Sequence, residues 1–328
     1  MKKWFAAMLT SLLVISLAAC GSSSGNNATV TFADAGWDSI KFHNEVAIYI
    51  AEKAYDLKGE QTSGTTAITY SAMESGDLDV YMEVWTDNLA SYSDDLAAGA
   101  FQELAVNFDD NAQGFYVPRY VIEGDAERGI EASAPDLKSV ADLANYSDVF
   151  TDQDDPSKGR IYGAISGLEV DTVMRNKVTY YGLDKYYNYI DPGSEAALAA
   201  SISAAYEKGE PIVAYYWEPT WITGKYDLVL LQDAPYNADV YLNGECACPS
   251  VKVTICVSND FAKAQPDYCA FLSQYQSSSA LTAESLSYME ENDASYEDTV
   301  VWFLKQHDEF LDQWLPADKA TLVRKALN

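Results

Sequence analysis

The sequence predicts an α/β protein of two lobes, each a mostly parallel sheet flanked by helices, with the chain crossing between the lobes twice. Three observations carry this. Apolar strand-like runs alternate with helical patterns along most of the chain, which is the order that builds parallel sheets. A chain of 328 residues is more than one core usually holds, so two are expected. The apolar run Phe115 to Ile122 contains Pro118, which belongs on a sheet edge or where a strand leaves its sheet, and it is read as the first crossing.

The chain opens with Met1-Lys2-Lys3, an apolar run to Leu17, then Leu17-Ala18-Ala19-Cys20 and a Ser-rich stretch. This is the pattern of a secretory leader over residues 1–19 that ends in a lipoprotein-type cleavage site. Cys20 is then the lipidated N-terminus and residues 20–28 a tether, so the protein is expected outside the cytoplasm, held to the membrane only by lipid. The formal net charge is −29, from 21 basic and 50 acidic side chains. No basic patch is available for phosphates, which excludes a nucleic-acid partner; the acidity reads mainly as a solvated surface.

A strand at Val30–Ala33 turns through Asp34-Ala35-Gly36 into a helix from about Trp37 to Ala54. Ile40, Ala47, Ile50, Ala51 and Ala54 form one apolar row and Phe42, Val46 and Tyr49 another, so the helix is well buried. His43 falls on the buried side and reads as a core histidine, with no second His or Cys at metal spacing. The backbone N–H groups of Asp38 and Ser39 at the helix start are the better ligand candidates, since helix N-termini attract anions. A second helix closes at Ser75-Gly76, and a strand from Leu78 to Val84 leads to Trp85. The next α/β unit has a strand Gly159–Ile165, helices Glu169–Tyr181 and Ser194–Lys208, a short strand Tyr187–Ile190, and a strand Ile212–Ala214. The last runs into Tyr215-Tyr-Trp-Glu-Pro-Thr-Trp221. A strand Val251–Val257 and a helical tail follow, with Trp302, Phe303, Phe310 and Trp314 as the tail's packing face.

The domain expectation is therefore one lobe from residues 29–118 and 232–328, and a second from 119–231. Cys246, Cys248, Cys256 and Cys269 are an even number in an oxidising compartment. Bridges from Cys246 and Cys248 to Cys256 and Cys269 are expected, in either of two pairings. A zinc site is the alternative, and the absence of Cys-x-x-Cys knuckles argues against it. No nucleophile set, phosphate loop or metal motif appears, so no catalytic residue, metal or cofactor is assigned.

Trp37, Trp85 and Trp217 all lie at or just past strand ends, where open α/β sheets bind ligands, and ring faces attract cations. Gly36-Trp37-Asp38-Ser39 with Phe42-His43-Asn44, Gly76-Asp77-Leu78-Asp79-Val80-Tyr81-Met82-Glu83-Val84-Trp85, and Tyr216-Trp217-Glu218-Pro219-Thr220-Trp221 together resemble the substrate-binding lipoproteins of glycine betaine/choline-type ABC importers. The resemblance spans nearly all of residues 29–328. It implies a type II periplasmic-binding-protein fold, no enzymatic activity, and a monomer that captures a small zwitterionic or cationic quaternary ammonium and delivers it to an ABC permease and its ATPase. By motif match it implies Trp37, Trp85 and Trp217 as an aromatic cage, Trp221 as packing beside it, and Asp38, Ser39 and Thr220 at the ligand's carboxylate. Thr220 stands where some relatives carry a histidine, and Leu168 where another tryptophan is expected. Either Tyr215 or Tyr216 substitutes for that missing ring, or the ligand is bulkier than glycine betaine and uses the space. The competing reading is a secreted carbohydrate-binding or glycoside-hydrolysing lipoprotein, with Glu218 paired to Glu83 or Asp87.

Overall fold

The computed structural model describes residues 28–167 and 169–328. The leader, the lipidation site Cys20 and Leu168 lie outside the described residues.

The first lobe starts with β1 (Ala28–Asp34), α1 (Asp38–Ala54), β2 (Leu57–Ser63), α2 (Thr66–Ser75), β3 (Val80–Trp85), α3 (Tyr92–Ala98) and β4 (Phe101–Phe108). The second contains β5 (Gln113–Pro118), α4 (Arg119–Glu123), β6 (Gly159–Tyr162), α5 (Glu169–Tyr180), β7 (Tyr187–Ile190), α6 (Glu195–Lys208), β8 (Ala214–Trp217), α7 (Trp221–Lys225) and β9 (Leu228–Leu230). After α8 (Ala238–Tyr241) the chain returns as β10 (Val253–Ser258). It ends in α9 (Asn259–Ala264), α10 (Pro266–Leu272), α11 (Ser279–Asn292), α12 (Tyr296–Gln306), α13 (Glu309–Trp314) and α14 (Ala317–Leu327).

Two five-stranded sheets result, ordered β2-β1-β3-β10-β4 and β7-β6-β8-β5-β9. In each, four strands run the same way and one is reversed: β10 is antiparallel to β3 and β4, and β5 to β8 and β9. The reversed strands are those the chain enters directly from the other lobe. Sheet membership places residues 113–118 in the second sheet, so we propose the lobe division at residues 109–112 and 231–252 rather than at 118 and 231. The two crossings are stapled side by side. The Asn111 side chain, almost fully buried, donates to the Val251 carbonyl at 2.6 Å and accepts from the Val251 N–H at 2.9 Å. Buried Lys177 of α5 ties the return crossing to the second lobe by donating to the Asp233 carboxylate and the Cys246 carbonyl.

Pro118 does not mark an edge. It ends β5, an interior strand, and its fixed φ starts α4, so the run to Ile122 is half strand and half helix. The second-lobe strand also begins later than the apolar residues indicate: β8 is Ala214–Trp217, which makes Tyr215, Tyr216 and Trp217 part of the strand.

The core has three parts. One face of the first sheet packs against α1 and the helical tail, with Phe303 and Trp314 buried there; the other face packs Tyr70, Tyr81 and Phe101 beneath α2 and α3; the second lobe has its own core. This arrangement overturns the disulfide expectation, because all four cysteines are free. Cys256 lies in β10 with its Sγ toward the Tyr92 and Thr254 hydroxyls, among the residues of one face, whereas Cys269 of α10 is packed on the opposite face. Cys246 is held at Asn237, and Cys248 packs on the second-lobe core. The first sheet lies between Cys256 and Cys269, and Cys246 and Cys248 are on the return crossing, away from that sheet's core. Four thiols are therefore expected to react with a thiol reagent when protein purified without reductant is unfolded; fewer than four would show that bridges form.

Candidate functional site

The first half of the site is built by two strand ends. The Asp34 carboxylate closes the turn after β1 by accepting from the Gly36 N–H at 2.9 Å and the Ser63 hydroxyl at 2.7 Å, and Gly36 takes φ +106°, a conformation open to glycine. The turn delivers Trp37 as the N-cap of α1. Trp37 has no cap oxygen, so the first N–H groups of this 17-residue helix have no side-chain cap. Asp38 sits in the first turn, accepting from the Tyr296 hydroxyl at 2.8 Å and lying 3.8 Å from Lys41 Nζ.

Trp85 ends β3, two residues after Glu83 and on the same strand face. Glu83 is fully buried, and its Oε2 accepts from Trp37 Nε1 at 2.6 Å, Ser39 Oγ at 3.0 Å and Trp85 Nε1 at 3.4 Å. Burial pushes its carboxyl up to about 7 against these three donors. Its other oxygen makes no hydrogen bond and lies 3.5 Å from His43 Nε2. His43 is the buried core histidine expected: Tyr275 pairs with Nδ1 at 2.7 Å and Thr282 with Nε2 at 3.2 Å, and burial lowers its pKa to about 3. Thr282 spends its own proton on the Ser278 carbonyl, which assigns the histidine proton to Nε2.

The second half comes from β8. Trp217 is half-buried and stacks on Tyr216 at 4.8 Å and 28°. Tyr215 is engaged in its own lobe, donating to Gln113 at 2.9 Å. Tyr216 is fully buried with a hydroxyl that finds no partner in the chain. Burial holds that hydroxyl well above the usual phenol range, helped by the charges of Glu195 and of Asp38 from the other lobe and opposed by the nearby Thr220 side chain. Glu195, at the start of α6, is itself raised to about 7 by burial and by Asp38, with Lys41 opposing. The geometry thus brings Trp37, Trp85 and Ser39 together on one carboxylate and sets Tyr216 and Trp217 on the other lobe. Thr220 caps α7, its Oγ1 accepting from the Thr223 N–H at 3.2 Å.

Trp221 is partly buried against the cores of both lobes. Trp221→Ala is expected to cost about 2 kcal/mol of stability, less than a fully buried tryptophan, with ligand affinity little changed. Loss of affinity at constant melting temperature would give it a ligand role instead.

Of the carboxylates named for a glycosidase, Glu83 is committed to the indoles and Glu218 accepts from the Tyr116 hydroxyl at 3.0 Å. The residues missed in sequence were Glu83 as the shared acceptor, Glu195 and Tyr296. A lone glutamate inside Val80-Tyr-Met-Glu-Val-Trp85 was a usable signal for the first, because a strand carboxylate in apolar company needs partners. A cavity of about 100 Å³ lies elsewhere, bounded by Asn111, Lys177, Asp233 and Cys248; its lysine and aspartate already satisfy each other.

Residues 28–306 match the family model described as the substrate binding domain of ABC-type glycine betaine transport system. Solved structures with the same fold include a glycine betaine, L-proline ABC transporter binding protein from Borrelia burgdorferi, at 23% identity and TM-score 0.63, covering 90% of this chain and 99% of that one. An ABC-transporter choline binding protein in complex with choline has 21% identity and TM-score 0.63, over 92% and 98% of the two chains. Lactococcal OpuAC, closed and complexed with glycine betaine, has 18% identity and TM-score 0.63, over 88% and 100%. Among curated proteins, an uncharacterized protein of Chromohalobacter salexigens is 26% identical over 161 residues, 48% of this chain and 91% of that one. At these identities the solved structures carry the fold, and the family model carries the family.

Proposed function

This chain belongs to the family of substrate-binding domains of ABC-type glycine betaine transport systems, and from that premise we propose that it captures a quaternary ammonium between Trp37 and Trp85 on one lobe and Trp217 on the other, and hands it to its permease. It is a transport binding protein and not an enzyme. The observation that carries the reading is the convergence of two indoles from separate strand ends on buried Glu83. A methylated ammonium has no N–H to donate, so it is recognised by ring faces, each worth roughly 0.5 to 2 kcal/mol. Glu83, which holds both indole N–H groups, favours the positive end of the ligand. Helix α1 offers backbone donors for a carboxylate or hydroxyl at the other end. Tyr216, with its unpartnered buried hydroxyl, is a second donor or acceptor for that end.

Isothermal titration of the mature chain with choline, glycine betaine and carnitine tests this, with micromolar affinity expected for at least one. Failure of all three, alongside a rise in melting temperature with a sugar, would transfer the site to carbohydrate. We further propose that the protein works outside the cytoplasm as a monomer anchored through lipid on Cys20. Among the described residues no helix is long and apolar enough to cross a membrane. Cys20→Ser is expected to move the protein from the membrane fraction to the soluble one; retention on membranes lacking the permease would refute the anchor.

A further inference from the structure

We propose that Glu83 is the positioning residue of the cation-binding half-site, one carboxylate oxygen fixing the indoles of Trp37 and Trp85 together while its charge sits at the N–H edge of both rings. The proposal rests on the quaternary-ammonium reading above. Its geometric basis is that the two tryptophans enter from different elements, one from the turn before α1 and one from the end of β3, yet both indole N–H groups end on Glu83 Oε2. Ser39 supplies a third donor to the same atom. An indole that donates to an anion is fixed in rotation and gains electron density on its ring, and both effects favour a cation on its face.

The groups facing the carboxylate are the Tyr81 hydroxyl from its own strand, His43 from α1, Tyr275 behind the histidine, and Thr282 from α11. None is a cation, since buried His43 is neutral. The positive charge nearest Glu83 is then the one a ligand brings. With its carboxyl raised to about 7, Glu83 is partly protonated near neutral pH. A cation on the rings favours the ionised form, so binding releases a proton although the ligand has none to give, and affinity rises with pH through about 7.

Calorimetric titration of wild-type chain with choline at pH 7, in phosphate and in Tris, tests this through the different ionisation heats of the two buffers. Wild type is expected to show buffer-dependent binding heat. Glu83→Gln is expected to show none and to bind about tenfold more weakly. In ligand-free protein, the indole Nε1–H resonances of Trp37 and Trp85, assigned with Trp37→Phe and Trp85→Phe, should move in Glu83→Gln while other indoles stay. If that variant does not fold, Ser39→Ala, which strips only the third donor, should move the same two resonances. Resonances unmoved in the folded variants overturn the proposal. So does buffer-dependent heat that persists in Glu83→Gln, which would place the proton on Glu195, the other carboxyl raised to about 7 at the lobe interface. If wild type binds neither choline nor glycine betaine, the ligand reading falls, and the indole resonances alone decide the role of Glu83.

Discussion

Trp217→Ala is expected to weaken quaternary ammonium binding roughly 30-fold, equivalent to about 2 kcal/mol, the value of a desolvated cation–π contact. The melting temperature should change little. Trp217 is the last residue of β8 and only half-buried, stacked against Tyr216 and tilted against Tyr215. In the proposed cage its ring is the second lobe's contribution, whereas Trp37 and Trp85 both belong to the first lobe; Trp221, the other second-lobe tryptophan, is packed against the cores of both lobes. Titration calorimetry and thermal melts on the same preparation separate the two effects. Wild-type affinity at an unchanged melting temperature would remove Trp217 from the cage.

How far the sequence could be read follows from where each residue sits in the sheets. The interior strands β1, β3 and β10 are apolar runs because both their faces are covered, and the tryptophans at the ends of β3 and β8 stood out against them. Strands β2 and β4 gave no such signal because they are the two edges of the first sheet. β2, Leu57-Lys-Gly-Glu-Gln-Thr-Ser63, is exposed for most of its length and looks like a loop in sequence. The site was legible on its surface and not beneath it. Aromatics at strand ends announce themselves, but the hydrogen bonds that orient them join residues 37 and 83, positions that only the packing of α1 on β3 brings together. The cysteines failed for a related reason: an even count in an oxidising compartment suggests bridges, and only the fold shows Cys256 and Cys269 on opposite faces of a sheet, with Cys246 and Cys248 packed elsewhere. The motif points Thr220 at the ligand, and the fold adds a second role at the start of α7, where its hydroxyl is the helix cap.

Gly224→Ala is expected to lower ligand affinity by tenfold or more without touching any ring of the site. Gly224 is in α7 of the second lobe, and a Cβ built on it would sit 2.3 Å from the carbonyl oxygen of Ala283 and 3.1 Å from Ser287 Cβ, both in α11 of the first lobe. The missing side chain is what lets these two helices meet backbone to backbone. The glycine itself is in ordinary helical backbone, its N–H donating to the Thr220 carbonyl at 3.1 Å. Alanine there is compatible with the helix and intrinsically favoured by about 1 kcal/mol, so any penalty must come from the contact between lobes. A backbone carbonyl held in α11 cannot step aside as a flexible side chain would, so the lobes must stand apart. If this lobe arrangement is the binding-competent one, apparent affinity falls by the fraction of molecules still able to reach it. Gly224→Ala should therefore combine an unchanged or slightly raised melting temperature with weaker binding and, in small-angle X-ray scattering, no compaction on adding ligand. Wild-type affinity with normal compaction would show that α7 and α11 need not touch for the protein to hold its ligand.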